Sequence, residues 1–132
     1  MKKNAQGLKG LFMVMLLAVV TLARSEAPQS GAFAVGKGPE GVAFDGASLW
    51  VTNQFSDNVT KLRASDGALI GTYAVGKRPI GVAVDGDNVW VTNLLDDSVT
   101  KLQALNGAVL GTFAVGDGPG GIAFDKIGRA HV

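Results

Sequence analysis

The chain has 132 residues, no cysteine, 47% hydrophobic residues and a formal charge of +1. Without cysteine there are no disulfides to staple a small domain and no lipid-attachment thiol, so stability must come from buried apolar surface. The positive charge sits at the chain's ends: between Pro28 and Asp125 six basic residues face ten acidic ones, a balance of about −4, which argues against nucleic acid as a partner and against a polybasic membrane face.

Residues 1–27 read as a signal peptide. Lys2, Lys3 and Lys9 give a basic start, Leu11 to Ala23 is an apolar run, and small residues follow at Ala23, Ser25 and Ala27. That order is the one export machinery recognises. As a helix the run spans only about 20 Å, short of the roughly 30 Å hydrocarbon core, so no stable membrane insertion is expected after cleavage. The chain is therefore expected to be exported, to the periplasm or beyond the cell.

From Gly31 the chain repeats itself. Gly31 to Ile70 and Gly71 to Leu110 are identical at 23 of 40 positions without a gap, and a third copy, GTFAVGDGPGGIAFD, runs from Gly111 to Asp125. A period of about 40 with several short strands per unit predicts β-propeller blades. The expected fold is all-β: about two four-stranded antiparallel blades, residues 28–125, with the start of a third.

Each copy divides at turn signals. In the first, Gly41–Phe44 is an apolar strand entered through Pro39 and left through Asp45-Gly46. Leu49–Thr52 is rich in aromatic and β-branched residues, and Asn58–Leu62 alternates cleanly. Asp66-Gly67, replaced by Asn106-Gly107 in the next copy, predicts a hairpin with a type I′ turn before a fourth strand at Ala68–Val75. Trp50 and Trp90, at equivalent positions, read as packing residues between blades. Lys61 and Lys101 read as solubilising residues on a near-outer strand. The glycine-rich GKGPEG lacks the following helix that a phosphate cradle needs.

Gly31 to Gly36 matches the fourth strand of a repeat, so Ala32 to Val35 is expected to pair with strands encoded beyond residue 125. A full ring of six to eight blades would take roughly 240 to 320 residues. With two blades alone, uncovered faces and edges predict self-association of the chain. Lys126 to Val132 (126–132) matches neither earlier copy. It can be encoded by AAG ATC GGA AGA GCA CAC GTC, which from its second base resembles the adapter ligated to DNA in short-read sequencing, so these residues are expected to be an artefact and His131, the chain's only histidine, to have no catalytic role.

Trp50-Val51-Thr52-Asn53, repeated at Trp90 to Asn93, resembles the YVTN repeat of bacterial propellers. The wider pattern PxGVAxDG…WVTN…VTKL resembles the NHL-type repeats of the virginiamycin B (streptogramin) lyase-like group. The resemblance covers Gly31 to Asp125. It implies a propeller used as a binding protein, a surface protein or an enzyme. The lyase implies a histidine base, a carboxylate and a divalent metal, and the related gluconolactonase-type propellers imply carboxylate and asparagine metal ligands drawn from several blades. No histidine lies in the repeats, so no catalytic residue and no metal ligand carries over, and no cofactor is expected in these residues.

The reading that follows is an exported, non-catalytic binding scaffold whose ligand or protein partner meets the propeller mouth. The alternatives are a lyase-like or lactonase-like enzyme with its site elsewhere, and a propeller segment of a large surface protein. Between copies the framework repeats while the loops differ. Lys37, Glu40, Gln54 and Phe55 in the first copy, with Lys77, Arg78, Leu94 and Leu95 in the second, are the expected mouth residues. Asp96-Asp97 falls far short of the six or more oxygens that calcium takes.

Overall fold

The computed structural model describes residues 31–124 and 130–132; the expected signal peptide and Lys126–Arg129 lie outside the described residues. Among the described residues one unit, Phe33–Val132, holds every strand, and there is no helix. The first copy supplies β1 (Pro39–Phe44), β2 (Ser48–Asn53), β3 (Asn58–Arg63) and β4 (Leu69–Ala74). The second supplies β5 (Pro79–Val84), β6 (Asn88–Asn93), β7 (Ser98–Gln103) and β8 (Val109–Ala114). Each set forms one antiparallel sheet in chain order, so each copy is one four-stranded blade, as the sequence predicts. A short pair follows, β9 (Ala123–Phe124) with β10 (Ala130–His131).

The registers of the two blades coincide. Trp50 pairs with Lys61 and Trp90 with Lys101; both first strands carry an irregularity, between Pro39 and Val42 and between Pro79 and Val82. Proline opens each of these strands, where it has no ladder hydrogen bond to lose. His131 pairs with Ala123 as Trp90 pairs with Ala83. The last residues thus keep the blade register, with His131 in the tryptophan's place.

The core lies between the two sheets. Strand alternation turns Trp50, Thr52, Val59 and Lys61 toward the second blade. There Trp50 and Val59, both fully buried, form one cluster with Val89, Val91, Leu102 and Ala104, with Tyr73, Val75, Val82 and Val84 packed around it. The Trp50 ring lies 5.7 Å from that of Tyr73, and its indole Nε1 donates to Asp45 Oδ2 at 2.8 Å. Trp90 repeats both contacts, with Phe113 at 6.0 Å and Asp85 at 3.0 Å. Trp50 is therefore the inter-blade packing residue that its recurrence predicts.

Between the two sheets themselves, two polar side chains cross from the first blade to the second. Thr52 accepts from the Gly41 amide at 2.8 Å and donates its hydroxyl to the Ile80 carbonyl at 2.8 Å. Thr92 repeats this, accepting from Gly81 and donating to the Gly120 carbonyl. Residue 41 must be glycine, because a Cβ there would lie 2.5 Å from the Ile80 oxygen. Lys61 is the second crossing group, and here the expectation of a solubilising lysine fails. Lys61 is 6% exposed. Its ammonium sits 5.0 Å from the Trp50 ring centroid and donates to the Ala104 carbonyl at 2.6 Å. β3 is an inner strand with the next blade on its face, so alternation directs the lysine into a contact between sheets. Lys101 holds the same place over Trp90, at 5.0 Å, and is half-buried.

The hairpin turns also correct the sequence reading. At 64–67 only Gly67 takes positive φ (+73°), and Asp66 does not, whereas a type I′ turn needs both central residues there. The turn is wider. Arg63 N donates to Ala68 O and Gly67 N to Arg63 O, each at 2.8 Å, while Asp66 Oδ1 accepts from Ala68 N at 3.0 Å. The second copy closes identically at Asn106-Gly107. Phe33–Val35 form no strand, but the Phe33 ring lies where a Cβ on Gly67 would be, as Tyr73 lies against Gly107. Phe33 thus holds the outer-strand place of a blade preceding the first.

Asp45 carries the one resolved titration shift of this framework. Burial raises its pKa, but the hydrogen bonds from Trp50 and from the Ala47 and Ser48 amides, with the Lys61 charge, outweigh it and lower the value. A depressed carboxylate contributes stability that is whole above its unfolded pKa of about 3.9 and fades as pH falls through the folded value. Urea midpoints of the natural protein are expected to fall below about pH 4, and Asp45→Asn to lose part of that acid dependence. Lys61→Met keeps the stem but strands the Ala104 carbonyl between sheets. It is expected to lower unfolding free energy by about 1–2 kcal/mol in urea titrations; an unchanged midpoint would mean the crossing bond adds nothing.

Candidate functional site

All eight expected mouth residues lie at one end of the blades. This end is built by the β2–β3 and β6–β7 turns and by the segments that lead into β1 and β5. In each blade the two elements are tied by a short backbone ladder. Gln54 N donates to Gly38 O at 3.0 Å and Phe55 N to Lys37 O at 3.1 Å; Leu94 N donates to Arg78 O at 3.0 Å and Leu95 N to Lys77 O at 3.2 Å. A side chain closes each loop, Ser56 Oγ accepting from Lys37 N and Asp96 Oδ2 from Lys77 N, both at 2.7 Å. The backbone is therefore the same in both copies while the side chains differ.

Three of the expected residues form a chain across the two blades. Gln54 Nε2 donates to Glu40 Oε2 at 3.0 Å, and Arg78 Nε donates to Gln54 Oε1 at 3.4 Å. Phe55, 66% exposed, and Leu95, 62% exposed, stand at equivalent positions as two apolar prominences. Lys37 and Lys77 are exposed, and Leu94 is half-buried. The surface combines exposed apolar groups, exposed cations and one guanidinium bonded to Gln54. Among the described residues no three His, Asp or Glu side chains converge.

The inter-blade role of Asp57 and Asp97 escaped the sequence reading, which weighed Asp97 only as half of a calcium pair; at this end they join one blade to the next. Asp57 Oδ1 accepts from Arg78 N at 2.9 Å and its carbonyl from Val75 N at 3.1 Å. Asp97 does the same for Gly118, at 2.8 Å, and Val115. Both aspartates have positive φ, 54° and 48°, which aspartate tolerates better than most residues. Their recurrence at the same place in both copies was the available signal.

Arg78 is the conformational exception. Its φ is +54°, at the position where the first and third copies carry Gly38 (φ +63°) and Gly118 (φ +60°). Left-handed backbone costs a non-glycine residue about 1–2 kcal/mol. The repeat demands this conformation, yet the second copy places an arginine there and aims it at the neighbouring loop.

A cleft of about 520 Å³ opens at the opposite end of the blades, lined by Asp45, Ser48, Lys61, Asp87, Gln103 and Leu105 among others. Asp45 and Lys61 are committed to Trp50 and to the Ala104 carbonyl. That cleft is a seam between turns of framework residues, and the loop end is the better candidate.

No protein-family model matches the chain, and no curated protein matches it. Solved structures do. Kuenenia stuttgartiensis hydrazine synthase is similar at 28% identity and a TM-score of 0.67, covering 76% of this chain and 30% of its own. A functionally unknown protein from Desulfotomaculum acetoxidans is similar at 20% identity and 0.63, over 71% of this chain and 34% of its own. Apo AztD from Citrobacter koseri, of β-propeller type, is similar at 14% identity and 0.60, over 67% and 27%. The chain thus spans about a third of the length of the structures it matches. Its two repeated sheets and these neighbours make it a β-propeller protein in fold.

Arg78→Gly removes the left-handed strain but makes the unfolded chain more flexible. The net expectation is stabilisation by about 0.5–1 kcal/mol in urea unfolding. A loss of stability instead would show that the Arg78 side chain holds the blades together.

Proposed function

We propose that this chain is part of an exported propeller of the YVTN/NHL type, a binding scaffold without chemistry of its own, which meets its ligand or protein partner at the loop end. The observation that carries this reading is the division of labour within the repeat. Framework positions recur between copies, and the loop side chains differ on an unchanged backbone. Arg78 supports it further, because strain kept where neighbouring copies have glycine is a common mark of a functional position. The basic, apolar and small-residue order of residues 1–27 supports export. The WVTN tetrads and the wider pattern around them support the family.

The ligand contacts fall to Phe55 and Leu95 as apolar anchors and to Arg78 as the oriented cation, with Gln54 holding the guanidinium and Glu40 holding Gln54. Lys37, Lys77 and Leu94 complete the rim. In such a surface a few anchors give most of the affinity and the rim excludes water.

The experiment is an exchange of loops. Arg78→Gly, Ile80→Glu, Leu94→Gln and Leu95→Phe together give the second copy the mouth residues of the first, with Asp96 kept because it closes its loop as Ser56 does. Natural and exchanged proteins are applied to glycan and peptide arrays. The expected outcome is a set of ligands bound by the natural protein and lost at least ten-fold in the exchanged one, with the circular dichroism spectrum unchanged. Equal binding by both proteins, or binding by neither, would sink the reading.

A further inference from the structure

Gly38 and Arg78 hold the same place in consecutive blades, and the residues packed over them differ in step. The Phe55 ring lies on Gly38: a Cβ there would stand 2.8 Å from Phe55 Cε2 and closer still to Cδ2. That ring therefore leaves no room for a side chain at 38. The second copy keeps the backbone, Leu94 N bonding Arg78 O as Gln54 N bonds Gly38 O, and there leucine takes the phenylalanine's place. Arg78 and Leu95 are thus a matched pair, the ring giving way where the arginine enters. Arg78 also keeps the left-handed backbone, at φ +54°, that an arginine disfavours. Drift at an idle surface position has no need of two matched changes and a strained residue.

The side chain so installed is half-buried and held at one atom. Its Nε donates to Gln54 Oε1 at 3.4 Å, and Gln54 is oriented by its own bond to Glu40 Oε2 at 3.0 Å. Nη1 and Nη2 have no partner among the described residues. A guanidinium engaged through Nε presents its Nη1–Nη2 edge, two parallel donors at the spacing of a carboxylate's oxygens. The loops around this edge belong to two blades described through all four strands of each.

We propose that this edge takes a carboxylate, and that the loop end binds an acidic peptide segment whose carboxylate is flanked by apolar side chains. The inference rests on the loop-end reading above and names its ligand. Charge at this end is mixed, since Glu40, Asp57 and Asp96 lie on or beside the same loops as Lys77 and Arg78. Such a surface does not draw a polyanion by its field. It recognises one carboxylate through the fork. Phe55 and Leu95, both mostly exposed, supply the apolar contact on either side. A sugar ring asks for a flat aromatic face; Leu95 has none, and one face of Phe55 is spent on Gly38. Apolar peptide side chains suit both.

The test is fluorescence anisotropy of the full chain with capped peptides. One carries a glutamate between leucines. Its counterparts replace the glutamate by glutamine or phosphoserine, or the leucines by serines, and an oligogalacturonate serves as an acidic glycan. Natural protein, Arg78→Lys and the four-residue loop exchange are compared, with circular dichroism as the check on folding; Arg78→Gly, which relieves the backbone, stands in for the lysine variant if that does not fold. The glutamate–leucine peptide is expected to bind the natural protein. The glutamine and serine counterparts, and the Arg78→Lys protein, are expected to bind at least about ten-fold more weakly. Equal binding of glutamate and glutamine peptides that the loop exchange abolishes overturns this inference and leaves the loop-end reading standing. Peptide binding that the exchange does not alter overturns both. Tighter binding of phosphoserine or of the glycan, undiminished binding by Arg78→Lys, or no binding of any peptide overturns the carboxylate proposal, while the arrays above decide the wider reading.

Discussion

The ammonium of Lys61 reaching across to the carbonyl of Ala104 is the constraint around which the two blades are arranged. A charged group so nearly removed from water is costly unless it finds oxygen partners, and an unpaired one would not persist. Here two carbonyls on the β7–β8 turn accept it, and the Trp50 ring faces it from 5.0 Å. Asp45 holds the same indole from its edge. Tryptophan, lysine and aspartate therefore fix one another, and the second blade must present its turn carbonyls at the one place where the ammonium can reach them. Packing of Val89, Val91 and Leu102 supplies the non-directional part of the adhesion. The lysine supplies the register.

Seen this way, the recurring tetrad Trp-Val-Thr-Asn is an architectural device in every position. The tryptophan packs against the next blade. The valine turns to the opposite face, where Val91 packs in the core between the sheets and Val51 meets nothing of the second blade. The threonine bonds glycine within its own sheet and a carbonyl in the next. The asparagine secures the turn that follows, Asn53 Nδ2 donating to Asn58 and Thr60 and Asn93 Nδ2 to Ser98 and Thr100. Asn93 Oδ1 also accepts from Gly76 N, while Asn53 Oδ1 is buried without a partner. The difference follows from the chain before each glycine. Gly76 is delivered by the paired strand β4, and Gly36 by a segment that has no sheet to join.

The period and the strong β-propensity of each segment made the blade legible from residues alone, because a 40-residue unit with four apolar stretches and turn residues between them has few other solutions. The inter-blade role of Trp50 was legible for the same reason. Lys61 was not. A lysine in an alternating strand reads as solvent-facing, and only the stacking of one sheet on another makes that face an interior one. The turns misled differently: Asp66-Gly67 carries the residues of a two-residue hairpin, but the strands separate two residues earlier and leave a four-residue loop. For the loop end, position was legible and geometry was not. The repeat alignment placed Lys37, Glu40, Gln54, Phe55 and their counterparts together. The Glu40–Gln54–Arg78 chain depends on the angle between blades, which no sequence pattern specifies.

The likeness to solved structures bears on fold and chemistry unequally. The two copies within this chain agree at 23 of 40 positions, a closer match than the 28% identity shared with hydrazine synthase. The matched residues inside the chain include the tryptophan, threonine, asparagine, lysine and glycine positions that make the contact between the blades. A sequence kept to that framework resembles other propellers whatever they bind, because the framework answers to stacking rather than to ligand. Information about a partner has to reside where the framework is silent. In this chain the framework is silent at the loop end, where Arg78 stands in the place of the other copies' glycine against the preference of its own backbone while the bonds around it stay the same, and it is there that the proposed function puts the contact.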